Sequence, residues 1–340
     1  MDVAVFGLRK SSMNTNLVDV IVPSFNNDKY LTDAISSVLI QTEYVNKILV
    51  VDDGSTDNTK KIVTTLATKT PKLQYIHQVN AGLSSARNTG IKHSTSKYLA
   101  FLDADDVWLP GKLESQINKF ETTKYKNLGL VYGEYLDVDE AGKEIQNFGG
   151  FRLHKDIKGD VSKQLLECNY ATGSGSAVLV KRECFDRVGM FDETLKACED
   201  WDMWMRIAQK YSFEYVDAPL VKLRRHQNSM QANRRHMITN QVKLMNKMKQ
   251  ANLAVPVTMN RSIRKDVLGL IISNPFNPQP YSLLRYIRDS NQSAGQGARE
   301  FLFDLVWAMY ASIPFLSRIA SNKSVRKLVI DPINKYVKVG

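Results

Sequence analysis

From residue 18 onward, short apolar runs alternate with longer stretches in which apolar residues recur every three or four positions. Residues 18–22 (VDVIV) read as a buried strand stopped by Pro23. Leu31, Ala34, Ile35, Val38 and Leu39 follow at i, i+3, i+4, i+7 and i+8, one apolar face of a helix. Residues 48–51 (ILVV) predict a second strand, and Ile62, Val63, Leu66 and Ala67 a second helix capped by Thr56 or Asp57. Residues 73–77 predict a third strand, 82–93 a third helix and 98–102 (YLAFL) a fourth strand. Strands alternating with helices in this way predict an α/β fold, a parallel sheet with helices on both faces.

Pro110 opens a further expected helix with Leu113, Ile117 and Phe120 inward. Strands are then expected over 130–138, 177–180 and 213–216, with a glycine-rich loop around Gly149 and Gly150. Between the last two strands Trp201, Trp204, Met205, Ala208 and Tyr211 recur at helical spacing, and past Arg225 the chain turns basic and helical. No internal repeat or low-complexity tract interrupts it.

Composition adds bounds. The 340 residues are 43% hydrophobic and 24% charged, ordinary for a soluble globular protein with a real core. Three cysteines without metal-ligand spacing point to a reducing compartment rather than a disulfide framework. The start of the chain lacks a secretory pattern. The longest apolar stretch, 301–316, is broken by Asp304 and Pro314 and falls short of the roughly 20 residues of a spanning helix. A cytoplasmic location is the expectation.

Charge divides the chain. Residues 1–221 balance to −4 and residues 222–340 to +15, giving the net +11, and no acid occurs from Lys222 to Lys265. Such a block is an electrostatic footprint for something anionic.

The candidate chemistry lies at strand ends. Asp103, Asp105 and Asp106 follow the fourth strand, and the carboxyl edge of an open α/β sheet is where ligands bind. Asp103 and Asp105, two apart, share a side in extended chain. Carboxylates gathered in this way repel unless a cation sits among them, and Mg²⁺ or Mn²⁺ held by few carboxylates plus substrate phosphates is the usual solution. A turn of solvated acids is the other reading of this cluster alone. Two more polar clusters, residues 23–27 (PSFNN) and 52–55 (DDGS), end the first and second strands, so all three converge on one edge. A nucleotide suits that edge: Asp53 can accept a base N–H, Phe25 can stack on the base, and the diphosphate can reach the metal.

Residues 18–25, 50–57 (VVDDGSTD), 80–90 (NAGLSSARNTG) and 101–106 (FLDADD) resemble, in order and spacing, glycosyltransferase family 2 across roughly residues 17–230. The resemblance implies a GT-A-type, Rossmann-like, mostly parallel sheet, a nucleotide-sugar donor (a UDP-sugar foremost), a divalent cation (Mn²⁺ or Mg²⁺) and inverting transfer to a hydroxyl of a saccharide or lipid-linked saccharide. It divides the chain into an arm (1–16), a transferase domain (17–230, with a nucleotide-binding half to 106 and an acceptor half from 107) and a helical basic extension (231–340).

Carried over, Pro23, Phe25 and Asp53 line the nucleoside pocket. Asn80, Gly82 and Arg87 lie near the nucleotide, where Arg87 can offset negative charge. Asp103 and Ala104 face the ribose or sugar, and Asp105 ligates the metal. The family more often has tyrosine where Phe25 stands, so no contact can rest on that hydroxyl. Inverting transfer needs a carboxylate base for the acceptor hydroxyl. The resemblance assigns it to the Glu199–Asp200 pair, Asp200 first, in the first turn of a helix whose dipole favours ionised acids. His226, in the segment 223–229, is the further expected ligand of the metal or pyrophosphate.

Beyond residue 230 the resemblance fades. Residues 281–288 and 301–307 mix apolar and basic positions, as do interfacial helices at an anionic membrane surface and helices at a homodimer contact. A nucleotidyltransferase would need a glycine-rich basic loop after the first strand, which PSFNN is not. A membrane- or nucleic-acid-binding module with a degenerate transferase domain is the reading from another class. The intact set Asp53, Asp103, Asp105 and Asp200 argues against it, and no nucleic-acid partner is expected.

Overall fold

The computed structural model describes residues 16–145, 157–171, 175–227, 229–230 and 233–253. The chain divides into two compact units, residues 1–232 and 233–340. The expectations for residues 1–15, for the loop at Gly149 and Gly150, and for the segments at 281–288 and 301–307 lie outside the described residues.

The first unit is built on one eight-stranded sheet. Its strands are β1 (Val18–Ser24), β2 (Val45–Asp52), β3 (Leu73–His77), β4 (Tyr98–Phe101), β5 (Val107–Trp108), β6 (Leu128–Val138), β7 (Leu179–Lys181) and β8 (Ser212–Arg224), in the order β3-β2-β1-β4-β7-β6-β8-β5. The first four pair in parallel. β7 then joins β4 and β6 antiparallel, β8 runs parallel to β6, and β5 pairs antiparallel with β8. The helices are α1 (Asp28–Leu39), α2 (Thr59–Ala67), α3 (Leu83–His93), α4 (Lys112–Thr122), α5 (Ser162–Glu167), α6 (Arg182–Val188) and α7 (Glu199–Ala208). The second unit contributes α8 (Arg234–Gln250), whose first turn is capped by Asn233 accepting the His236 N–H at 3.0 Å.

The period-two alternation of β1 explains why both faces carry helices. Val18, Val20 and Val22 join Leu31, Ala34, Ile35 and Val38 of α1 and Leu113 and Ile117 of α4 in one core. Ile21 faces the opposite way, against α3, where an added Cβ at Gly90 would lie 2.4 Å from Ile21 Cγ2. Only glycine lets helix and strand approach so closely. The same face gathers Phe101, Phe185, Phe191 and Trp204 edge to face.

Several boundaries differ from the sequence reading: β2 starts at Val45, β6 at Leu128, and the strand expected over 177–180 is β7, preceded by a 3₁₀ turn over Gly175–Ala177. Three further differences have a visible cause. Pro23 does not stop β1: it pairs in register with Val51, and the pairing with β4 has already ended at Ile21 and Phe101, so no ladder bond needs the missing N–H. The cap of α2 is Asn58 rather than Thr56 or Asp57, although Asp57 Oδ1 accepts the Thr59 N–H at 2.9 Å. β8 extends to Arg224, well past residue 216, because Val221 and Leu223 pair on β6 while Val221 and Lys222 pair on β5.

Candidate active site

Because β2, β1 and β4 are parallel neighbours, the loops that follow them leave from one edge, where those after β1 and β2 are tied together. The Asp53 N–H donates to Ser24 O at 2.8 Å, the Thr56 N–H to Asn26 Oδ1 at 2.8 Å and the Asp28 N–H to Asp57 Oδ2 at 2.9 Å. Phe25 stands on this edge 51% exposed, an aromatic face open to a ligand, while Pro23 is buried.

Asp52 and Asp53 are buried and hold the edge from within. Asp52 accepts the Ser55 N–H at 2.8 Å and the Tyr75 hydroxyl at 2.6 Å. Asp53 Oδ1 accepts Gln78 Nε2 at 2.7 Å and the Ala81 N–H at 2.9 Å, and Oδ2 accepts the Gly82 N–H at 2.8 Å. The acid expected to receive a base N–H therefore organises the 78–82 loop, with one acceptor direction on Oδ2 not taken up among the described residues. Gly82 begins α3 at φ +97°, left-handed territory that suits glycine. Asn80 packs its backbone on Gly54, where an added Cβ would lie 3.0 Å from Asn80 N.

Residues 103–106 form a turn, closed by the Asp106 N–H donating to Asp103 O at 3.0 Å. This corrects the expectation that Asp103 and Asp105 share a side, which held only for extended chain. Asp103 Oδ1 instead accepts Arg87 Nη2 at 2.8 Å, and Asp105 Oδ2 meets His226 Nε2 at 2.9 Å. Ala104 is buried, and Asp106 is buried against Ser176 Oγ at 2.6 Å and the Arg224 N–H at 3.2 Å. Burial raises both Asp105 and Asp106, and neighbouring acids add to it, while His226 pulls Asp105 partly back.

Arg87 is fully buried and its charge is committed. Nη1 donates to Glu199 Oε1 at 2.7 Å and Nη2 to Asp103, joining α3, the turn after β4 and α7. The guanidinium offsets the negative charge of two carboxylates of this chain.

The three acids opening α7 have three different surroundings. Glu199 is buried on Arg87, and burial pushes its carboxyl up to about 7 against the opposing pull of the guanidinium. Asp202 is paired with Arg206 at 2.9 Å. Asp200 keeps partial solvent access; its Oδ1 accepts the Trp201 N–H at 2.7 Å and its Oδ2 accepts Asn169 Nδ2 at 3.2 Å. Burial raises Asp200 too, with Arg87 again opposing. Trp201 donates Nε1 to Leu165 O at 2.6 Å, and Trp204 is fully buried, so both indoles belong to the packing.

Sequence reasoning missed Asn169, Ser176 and Arg224. Ser176 Oγ accepts the Asp103 N–H and donates to Asp106, and Arg224 Nε donates to Asp105 O at 3.0 Å. Arg224 stands two residues before His226, in a segment already singled out. The other two are single polar residues in weakly patterned stretches, with no sequence signal.

Among the described residues, no group of three His, Cys, Asp or Glu side chains is placed to hold a metal by itself. Asp105 and His226 offer one carboxylate and one imidazole, a donor set suited to Mn²⁺ and compatible with Mg²⁺ when a diphosphate completes the shell. The residues fit that role as a pair.

A sheet whose parallel half carries acidic loops on one edge, extended by a mixed second half, is the GT-A architecture. The family model described as "Glycosyl transferase family 2" matches residues 19–189, and the chain belongs to that family. Of the uncharacterized Rickettsia glycosyltransferases that it matches, the chain spans about a third of the length in three cases. It is 30% identical over 280 residues to the Escherichia coli UDP-Glc:alpha-D-GlcNAc-diphosphoundecaprenol beta-1,3-glucosyltransferase WfgD, covering 81% of this chain and 94% of that protein. Staphylococcus aureus TarS (residues 1–349) in complex with UDP shares the fold, with TM-score 0.58, 18% identity and coverage of 81% of each chain. The mannosyltransferase PcManGT of Pyrobaculum calidifontis, in complex with GDP-Man and Mn²⁺, does so with TM-score 0.53 and 18% identity over 93% of this chain and 88% of that one.

Proposed function

We propose that this chain transfers a sugar, with inversion, from a UDP-sugar to a hydroxyl of a lipid-linked saccharide, with a divalent cation at Asp105 and His226 and Asp200 as the base. The observation that carries this reading is one chain of contacts. Arg87 ties Asp103, two residues from the Asp105–His226 pair, to Glu199, next to the partly open Asp200. On this reading the donor's diphosphate end and the acceptor's base would stand in fixed relation on rigid elements. Arg87 pairs with both Asp103 and Glu199, while Asp105 and Asp200 bring further carboxylates nearby, so a cation suits the site.

When bound, the cation offsets charge on the leaving diphosphate. The acceptor oxygen attacks the anomeric carbon, its proton passes to the Asp200 carboxylate, and the bond from carbon to diphosphate oxygen breaks with its electron pair leaving on the diphosphate. Glu199, locked on Arg87, serves as the anchor rather than the base. WfgD and the UDP complex of TarS support a UDP-sugar and a diphosphate-linked acceptor, and the Mn²⁺ complex of PcManGT supports the cation.

The +15 balance of residues 222–340 supports a peripheral position on an anionic membrane surface, where such an acceptor would reside. Among the described residues no helix is long and apolar enough to cross a membrane. A thermal-shift panel of nucleotide sugars with and without Mn²⁺ tests the donor and metal together. Stabilisation by one UDP-sugar, greater with Mn²⁺, is expected, on the order of 3 kcal/mol at a hundredfold excess over Kd. No shift with any nucleotide sugar overturns the reading.

A further inference from the structure

A histidine that ligates a metal is ordinarily steadied through its second ring nitrogen, which bonds to a carboxylate, a carbonyl or a water. His226 is held differently. Among the described residues its side chain makes one hydrogen bond, between Nε2 and Asp105 Oδ2 at 2.9 Å. One contact at one nitrogen leaves the plane of the imidazole unset. Beside the ring stands Tyr30, from the first turn of α1, with the two ring centroids 5.5 Å apart and their planes tilted by 32°.

Tyr30 is buried and fastened at both ends of its ring. At one end the backbone belongs to α1, whose next residues, Leu31, Ala34 and Ile35, lie in the core. At the other the hydroxyl donates to Glu140 Oε2 at 3.1 Å, an oxygen that also receives Lys29 Nζ at 2.6 Å. Arg224 completes the enclosure. Its guanidinium carbon lies 4.6 Å from the Tyr30 ring centroid, where a cation is attracted to an aromatic face. Its Nη1 donates to Glu140 O at 2.7 Å and its Nε to Asp105 O at 3.0 Å. The start of α1, the turn after β6 and the end of β8 thus meet around one aromatic ring next to the Asp105–His226 pair. A ring locked in this way is a rigid wall for a neighbouring ring.

We propose that Tyr30 is a positioning residue of the metal site: its ring holds the imidazole of His226 with Nε2 turned toward Asp105. The inference rests on the Asp105–His226 pair being the metal site of the proposed function. The ring carries the role that a second hydrogen bond carries for other metal-ligating histidines. The hydroxyl serves only to tie that ring to Glu140, and Lys29 and Arg224 hold Glu140 in turn. Tyr30 acts on the cation through His226 and does not touch it.

The test measures Mn²⁺ binding to the full chain at saturating UDP, read from the electron paramagnetic resonance signal of free Mn²⁺. Wild type is compared with Tyr30→Phe, Tyr30→Leu, His226→Ala and the double variant of the last two. Tyr30→Leu keeps apolar bulk and removes the ring, so it should weaken Mn²⁺ binding about tenfold, the scale of losing a group that orients a ligand. UDP affinity in chelator should be unchanged. Tyr30→Phe keeps the ring and should bind Mn²⁺ within about threefold of wild type, well inside that scale. Added to His226→Ala, Tyr30→Leu should cost nothing further, whereas a general loosening of the fold would weaken binding in both backgrounds. The inference is overturned if Tyr30→Leu binds Mn²⁺ as wild type does, or loses equally with and without His226. It is also overturned if Tyr30→Phe loses about tenfold, a result that stands even where Tyr30→Leu does not fold. If the wild-type protein shows no UDP-dependent Mn²⁺ binding, or His226→Ala binds Mn²⁺ as wild type does, it is the metal assignment of the proposed function that fails, and this inference with it.

Discussion

Asp105 Oδ2 lies 2.9 Å from His226 Nε2, although 121 residues separate them in the chain. The cause is the short strand β5, which pairs Val107 with Lys222 and Trp108 with Val221 at the antiparallel edge of β8. The turn after β4 and the end of β8 are thereby brought together, and the Arg224 guanidinium fastens them through Asp105 O.

If that pair holds the metal, Asp105→Asn should abolish the Mn²⁺-dependent part of UDP binding while leaving the fold intact. Calorimetry with and without Mn²⁺ measures it. Unchanged UDP affinity in the presence of Mn²⁺ removes the assignment.

Asp200→Asn should keep the donor KM and lower turnover by roughly 10²–10⁴, the usual worth of a positioned base. The change is isosteric, so packing is not at issue. Near-normal kcat in this variant moves the role elsewhere.

Arg87→Met should cost about 3–5 kcal/mol of stability, because Asp103 and Glu199 are left without the cation that compensates them. Denaturant unfolding reads this directly. A loss below about 1 kcal/mol, the scale of a surface ion pair, would show that the two carboxylates do not depend on Arg87.

Glu199 gives a pH dependence with a definite sign. Its carboxyl, ordinarily near 4.5, is pushed up to about 7 in the folded protein, so the folded state binds the proton more tightly than the unfolded one. The stability this contributes is complete below pH 4.5 and is lost as pH rises through 7. Glu199→Gln cannot show that loss, so its unfolding free energy relative to wild type should improve from pH 4.5 to pH 8 in chelator-treated samples. A gap constant with pH would contradict the shift.

The basic balance beyond residue 222 should make liposome binding strong at low salt, dependent on anionic lipid and weak by about half-molar salt, since attraction decays within a Debye length. Flotation of the full chain against one ending near Ser229 measures it. Equal flotation of both, or none at low salt, removes the membrane role, and salt-insensitive self-association without lipid favours a homodimer.

The sequence by itself determined the parallel half of the sheet. In β1, β2 and β4 apolar runs of strand length empty directly into polar loops, and parallel neighbours must then present those loops on one edge. That depends only on local pattern and a topological rule, so residues 23–27, 52–55 and 103–106 were legible as sharing one edge. The Glu199–Asp200 pair was legible too, but not its division of labour. Tertiary structure alone decided that Arg87 takes Glu199 and Asp103, that Asp200 meets Asn169, and that Asp105 turns from Asp103 toward His226. Each depends on contacts between residues far apart in the chain, across a mixed half-sheet whose short strands β5 and β7 are three residues or fewer. Segments so short have no period to read, yet their pairing fixes which buried charges meet.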